Sequence, residues 1–177
     1  MYIGLIRHFK VSCDKQLFMN SDDFEKWVIK YDISDIIEND VKVDHIIWNK
    51  CFSSDLPRAV RTSEAIYKGE IVTTVLLREV TLCPIFKTKI KLPYIFWCIS
   101  ARVAWHFQHR SQPEIKKATL KRVDSFISSL DPISNDNVLV VCHGFIMKVL
   151  LKALKKNGFN GAHINSPKNG KLYVYEK

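Results

Sequence analysis

Residues 138–141 read Val-Leu-Val-Val, an apolar run with no polar alternation. A strand with one wet face alternates, whereas a strand apolar at every position is covered on both faces, as in sheets packed between layers of helices. The other segments fit that frame. Tyr2–Ile6 reads as an opening strand, and a second lies within His45–Phe52. Glu70–Leu77, rich in β-branched residues, reads as a third, and Leu172–Tyr175 as the last. Helical spacing separates them. Phe24, Trp27, Val28 and Tyr31 mark a helix over Asp22–Tyr31, with Asp22 and Glu25 as a capping box, and Asp35–Asn39 adds a turn. Pro57 opens a helix that runs toward Gly69. Helices are also predicted over Ile95–Gln108, Ser111–Leu130 and Phe145–Lys156. The Ser111–Leu130 helix is expected to be capped by Ser111 and Glu114, to turn Ile115, Leu120, Val123, Phe126 and Ile127 inward, and to stop at Asp131-Pro132. Asn157-Gly158 closes the Phe145–Lys156 helix. Strands alternating with helices make an α/β layered fold, and 177 residues suit one domain spanning 1–177.

In such folds ligands gather where strands end. Tyr2–Ile6 runs straight into Arg7-His8, and the His45–Phe52 segment is followed by Ser53-Ser54-Asp55 and then by Arg58 in the next helix's first turn. Glu79 follows the third strand, and His143 follows Val138–Val141. Two arginines, two histidines and a carboxyl group suit phosphoryl transfer. Arginine forks hold phosphate oxygens and offset transition-state charge. A histidine kept neutral by neighbouring arginines can attack phosphorus. A carboxyl group can protonate the leaving alkoxide.

Charge is unevenly placed. Residues 1–80 hold 11 basic and 13 acidic residues, net −2; residues 81–177 hold 16 and 5, net +11. The second half thus favours anionic partners. The aromatic residues Tyr94, Phe96, Trp97, Trp105 and Phe107 recur at helical spacing and read as core. Cys13, Cys51, Cys83, Cys98 and Cys142 are odd in number and show no C-x-x-C spacing, which fits reduced, mostly buried thiols in a cytoplasmic protein. Neither a secretory leader nor a membrane-length apolar run is visible, and no metal-ligand spacing occurs.

The ordered blocks Ile6-Arg7-His8, Ser53-Ser54-Asp55-Leu56-Pro57-Arg58-Ala59-Val60-Arg61-Thr62-Ser63-Glu64, Leu77-Arg78-Glu79 and Val141-Cys142-His143-Gly144 resemble the histidine phosphatase superfamily, whose fold is phosphoglycerate-mutase-like. The resemblance spans nearly the whole chain. It implies a single-domain, three-layer α/β/α sandwich around a mixed, mostly parallel sheet. It also implies a phosphatase acting on a small phosphorylated substrate, with neither metal nor cofactor. His8 would be the nucleophile that becomes phosphohistidine. Arg7, Arg58 and His143 would bind the phosphate and its transition state, and Glu79 would donate the proton and later activate water. The family opening usually reads Arg-His-Gly-x-Thr/Ser, with Asn three residues on. Phe9, Val11 and Asp14 stand at those places. Altered activity is therefore expected, from a narrowed approach at Phe9, a lost hydroxyl at Val11 and a repelling carboxylate at Asp14, with Ser12 or Lys10 able to compensate.

Two alternatives share this kit. Family phosphomutases are longer, so this compact chain favours hydrolysis. A phosphate-binding regulatory module that has lost turnover is the other. A cysteine phosphatase is excluded, because neither Cys51 nor Cys142 begins a C-x5-R loop. No P-loop occurs, and nucleic acid is disfavoured as a partner because no recognised motif accompanies the charge. His45, His106, His109 and His163 read as structural or surface residues. The sequence leaves the oligomeric state open.

Overall fold

Residues 1–43, 45–130 and 136–177 are described by the computed structural model. The central sheet has strands β1 (Tyr2–Arg7), β2 (Lys50–Ser54), β3 (Ile71–Thr74), β4 (Val138–Cys142), β5 (Asn160–Gly161) and β6 (Leu172–Glu176), in the order β3-β2-β4-β1-β6-β5. The pairs β2–β3, β2–β4 and β1–β4 are parallel. β6 runs antiparallel to both β1 and β5. The helices are α1 (Ser21–Ile33), α2 (Pro57–Ile66), α3 (Tyr94–His106), α4 (Lys116–Ser129) and α5 (Gly144–Lys156).

The all-apolar strand behaves as its composition requires. Val138 and Val140 face a core shared with Val123, Phe126, Met147 and Leu150 of α4 and α5. Leu139 and Val141 face the opposite core with Ile6, Cys51 and Ala59, beneath α2. These two faces give the α/β/α layering. Gly4 is needed on the second face: a Cβ there would lie 2.6 Å from the Trp48 ring. A third, smaller core of Met19, Phe24 and Trp97 joins α1 to α3.

Several boundaries differ from the sequence reading. The second strand is Lys50–Ser54 rather than the residues from His45, and the third is only Ile71–Thr74, because Val75–Leu77 turns into a 3-10 helix. Within 35–39, Ile36–Ile37 forms a short ladder with Lys10–Val11. The cap of α1 is Asn20, whose side chain accepts from Asp23 N at 2.9 Å, not Asp22. Ser111 and Glu114 do not cap α4, which starts at Lys116. Glu114 instead clamps Arg122, Oε1 to Nε at 2.6 Å. This late start turns Ile115 and Leu120 outward, while Val123, Phe126 and Ile127 are buried as expected. α3 ends at His106, and Gln108 follows in the left-handed region at φ 57°. Trp97 and Trp105 are core, but Phe96 and Phe107 are exposed. The predicted stop at Asp131-Pro132 lies outside the described residues.

Candidate active site

The carboxyl ends of β1, β2 and β4 deliver the charged groups to one place. β1 ends at Arg7, and the chain beyond it is pinned from three sides. His8 N donates to Cys142 O at 2.9 Å, Phe9 N donates to Thr62 Oγ1 at 2.9 Å, and Asn169 Nδ2 donates to His8 O at 2.7 Å. Pro57 starts α2 where no N–H is required, which puts Arg58 in the first turn. His143 follows β4 and immediately precedes α5.

The proton positions follow from the partners. His8 Nδ1 lies 2.6 Å from Phe9 O. A carbonyl only accepts, so Nδ1 carries the proton and Nε2 keeps a lone pair. Burial, then the Arg58 charge, drive the His8 pKa down to about 3; Arg7 adds to this, against the opposing pull of the Phe9 carbonyl. The imidazole is therefore neutral near neutral pH. His143 packs beside it, ring centroids 5.0 Å apart. Arg58 Nε donates to His143 Nδ1 at 3.2 Å, so His143 Nε2 bears the proton and donates to Ser54 Oγ at 2.8 Å. Burial and then Arg58 hold the His143 pKa well below its usual value. Both His143 nitrogens are engaged inside the protein.

Above these rings lies a cleft of about 400 Å³. Arg7, Arg58 and Glu79 line it, together with Tyr31, Asp32 and Arg102. His8 and His143 lie behind them, 2% and 0% exposed. Arg58 spans the wall: beyond its bond to His143, its second edge pairs with Asp32, NH1 to Oδ1 at 2.7 Å, and the guanidinium carbon lies 5.1 Å from the Tyr31 ring centre. Arg7 NH1 donates to Pro167 O at 3.1 Å. Its Nε is buried without a hydrogen-bond partner among the described residues. Gly144 allows this placement, since a Cβ there would sit 3.1 Å from the Arg7 guanidinium carbon. Glu79 reaches the start of α5, where its oxygens accept from Phe145 N at 2.9 Å and Ile146 N at 3.1 Å, and its Oε1 also accepts from Val80 N at 3.0 Å. A carboxylate at a helix N-terminus complements the unpaired N–H groups there.

All five residues singled out from sequence thus converge. The departures from the family opening do not intrude. Phe9 is buried against the position of Gly170, Val11 is buried in the short ladder with Ile36, and the exposed Asp14 is not among the cleft residues. The expected narrowing at Phe9 and repulsion from Asp14 therefore have no counterpart in this geometry. His45, His106, His109 and His163 are absent from the cleft. Asp32, Tyr31, Arg102 and Asn169 were not legible as site residues; Tyr31 lay on the predicted inward stripe of α1, but nothing marked Asp32 beside it. Cys142 and Cys51 are buried thiols, pushed up by burial, Cys51 to about 12, so neither offers a thiolate. Among the described residues, no group of three or more His, Cys, Asp or Glu is placed to hold a metal, and no helix is long and apolar enough to cross a membrane.

Comparison with known proteins agrees with this fold. No curated protein sequence matches the chain. Among solved structures, it is similar to a phosphoglycerate mutase from Bacillus anthracis, with a TM-score of 0.59 and 18% identity over 88% of this chain and 80% of that one. It is also similar to the α-ribazole phosphatase of Shigella flexneri, with a TM-score of 0.54 and 17% identity over 98% and 89% of the two chains. A third similar structure is Bacillus stearothermophilus YhfR, with a TM-score of 0.58 and 18% identity over 88% and 80%. At these identities the likeness speaks for the fold. The model of the histidine phosphatase superfamily, branch 1, matches residues 38–176, a span that holds Arg58, Glu79 and His143 in order and begins after Arg7-His8. Most of the chain is thereby matched, on the fold that gathers those residues at the strand ends, and the protein belongs to the histidine phosphatase superfamily.

Proposed function

We propose that the protein is a phosphatase that hydrolyses small phosphomonoesters through a phosphohistidine on His8. One observation carries this reading: the His8 Nδ1 proton is spent on the Phe9 carbonyl, leaving Nε2 as a neutral lone pair beside two arginines. In the first step Nε2 attacks phosphorus, the bond to the leaving oxygen breaks, and Glu79, entering the step as the carboxylic acid that the second step regenerates, gives that oxygen its proton. In the second, water attacks the phosphohistidine, Glu79 takes the water's proton, and the N–P bond breaks to release phosphate and free His8. Arg7 and Arg58 hold the phosphoryl oxygens throughout. His143 orients Arg58 through Nδ1; it would have to turn its Nε2–H away from Ser54 to touch the anion itself. The free thiols suit a reducing compartment such as the cytoplasm.

A binding module without turnover is the competing reading, favoured by the 2% exposure of His8 and by the pairing of Arg58 with Asp32. Assay of p-nitrophenyl phosphate with wild type and His8→Ala separates the two. The expected result is hydrolysis by wild type that falls to the buffer background in the variant. Quenching into alkaline denaturant during turnover should leave phosphate on the His8 peptide by mass spectrometry. Equal rates for the two proteins, or phosphate on another residue, would reject the assignment.

A further inference from the structure

Beyond the cleft, α5 presents Lys148, Lys152 and Lys155 on one exposed stripe, at spacings of four and three residues. Among the described residues none of the three forms an ion pair. They line a second groove of about 530 Å³, whose far wall is the 160–165 segment with His163 and Asn165; no acidic residue lines it. Lys148 lines both this groove and the cleft. The chain between them is continuous too: Ile164 and Asn165 lie in the groove, and Ser166 and Pro167 in the cleft. A track of cations, about 10 Å long by the rise of an α-helix, therefore leads away from the phosphate site. The excess of basic residues in the second half of the chain is concentrated partly here.

We infer that the groove along α5 binds the leaving group of the substrate, and that this leaving group carries at least one further phosphate. The inference rests on the reading of the cleft as a phosphomonoester site. Lysines suit phosphate as mobile point charges, and a groove free of carboxylates adds their fields without cancellation. The ester is cleaved in the cleft while a second phosphate sits on Lys152 and Lys155. A small bisphosphate and a short nucleotide chain offer the same chemistry from two sources.

The test compares substrates with equivalent leaving alkoxides: hexanediol bisphosphate against hexyl phosphate, and an end-phosphorylated thymidine trinucleotide against thymidine monophosphate. At low salt, kcat/KM is expected to favour the multiply charged member of one pair by about tenfold, more than the twofold that two equivalent ends would give. The pair that shows the preference names the source. In the double variant Lys152→Ala, Lys155→Ala the preference collapses, while turnover of the singly charged member is retained. Normal turnover without preference, or a preference that survives in the variant, overturns the groove and leaves the phosphatase reading intact. If neither class is turned over, that reading falls instead. Calorimetric titration with hexanediol bisphosphate then decides the groove: binding weakened by the double variant upholds it, and equal binding overturns it.

Discussion

The two walls of the cleft are built differently. The wall at the strand ends, Arg7 and Arg58 with the buried His8 and His143 behind them, is fastened to the sheet through His8 N on Cys142 O and through the chain Arg58–His143–Ser54. The opposite wall, with Tyr31, Asp32, Tyr94 and Arg102, belongs to α1 and α3, which share their own small core around Phe24 and Trp97. The first wall holds groups whose placement chemistry cannot relax. The second can vary its side chains without disturbing the sheet, which suits it to selecting substrates. Arg58 joins the walls, with one edge on His143 and the other on Asp32.

Of the changes that test this contrast, removing the joint itself should have the largest effect. Arg58→Ala is expected to raise the barrier of phosphoryl transfer by about 2–4 kcal/mol, the scale of losing one donor that stabilises developing charge. Steady-state kinetics should show this in kcat as well as in kcat/KM. A change confined to KM would mean that Arg58 binds ground state and transition state alike, making it part of the adaptable wall in function.

The burial of His8 gives a second contrast, in stability. Its pKa falls to about 3 in the folded protein, against 6.5 for an unperturbed imidazole, so between those values the unfolded chain binds more protons. Stability present above pH 6.5 is lost as pH falls toward 3, by about 2 kcal/mol at pH 5 from His8. His143 acts in the same direction. Thermal melts from pH 7 to pH 5 should show a falling Tm, with a shallower fall in His8→Asn. An equal fall in both proteins would place the titrating groups elsewhere.

The same contrast explains what the sequence could reveal. Parallel strands announce themselves by apolar runs, and a sheet's topology then dictates that whatever follows each run meets at one edge. Arg7, His8, Arg58, Glu79 and His143 were legible for that reason. Asp32 was not, because its meeting with Arg58 depends on how α1 is set by a core of Met19, Phe24 and Trp97 that comes from distant segments. Helix caps are hard to place from sequence for a related reason: Asn20, Asp22 and Ser111 all have capping side chains, and the tertiary position of the helix decides that only Asn20 is used. Phe9 shows the converse. A departure that reads as disruptive in sequence is absorbed because Gly170 leaves room for its ring, and Phe9 does not line the cleft.

The smallest effect expected is the most informative about the second wall. The Asp32 carboxylate already sits on Arg58 NH1, so an incoming phosphate must share or displace a charge of its own sign. Asp32→Asn keeps a hydrogen-bond acceptor for Arg58 and removes the charge. Because Asp32 is partly exposed, screening reduces the gain well below the bare Coulomb value, to about 1 kcal/mol. Calorimetric titration with inorganic phosphate at neutral pH should therefore show Kd tightened by roughly fivefold, with the gain shrinking as salt is added. Weaker phosphate binding would reverse the assignment: Asp32 would then be a strut that aims Arg58, and the α1 wall would be as much a part of the fixed machinery as the strand ends.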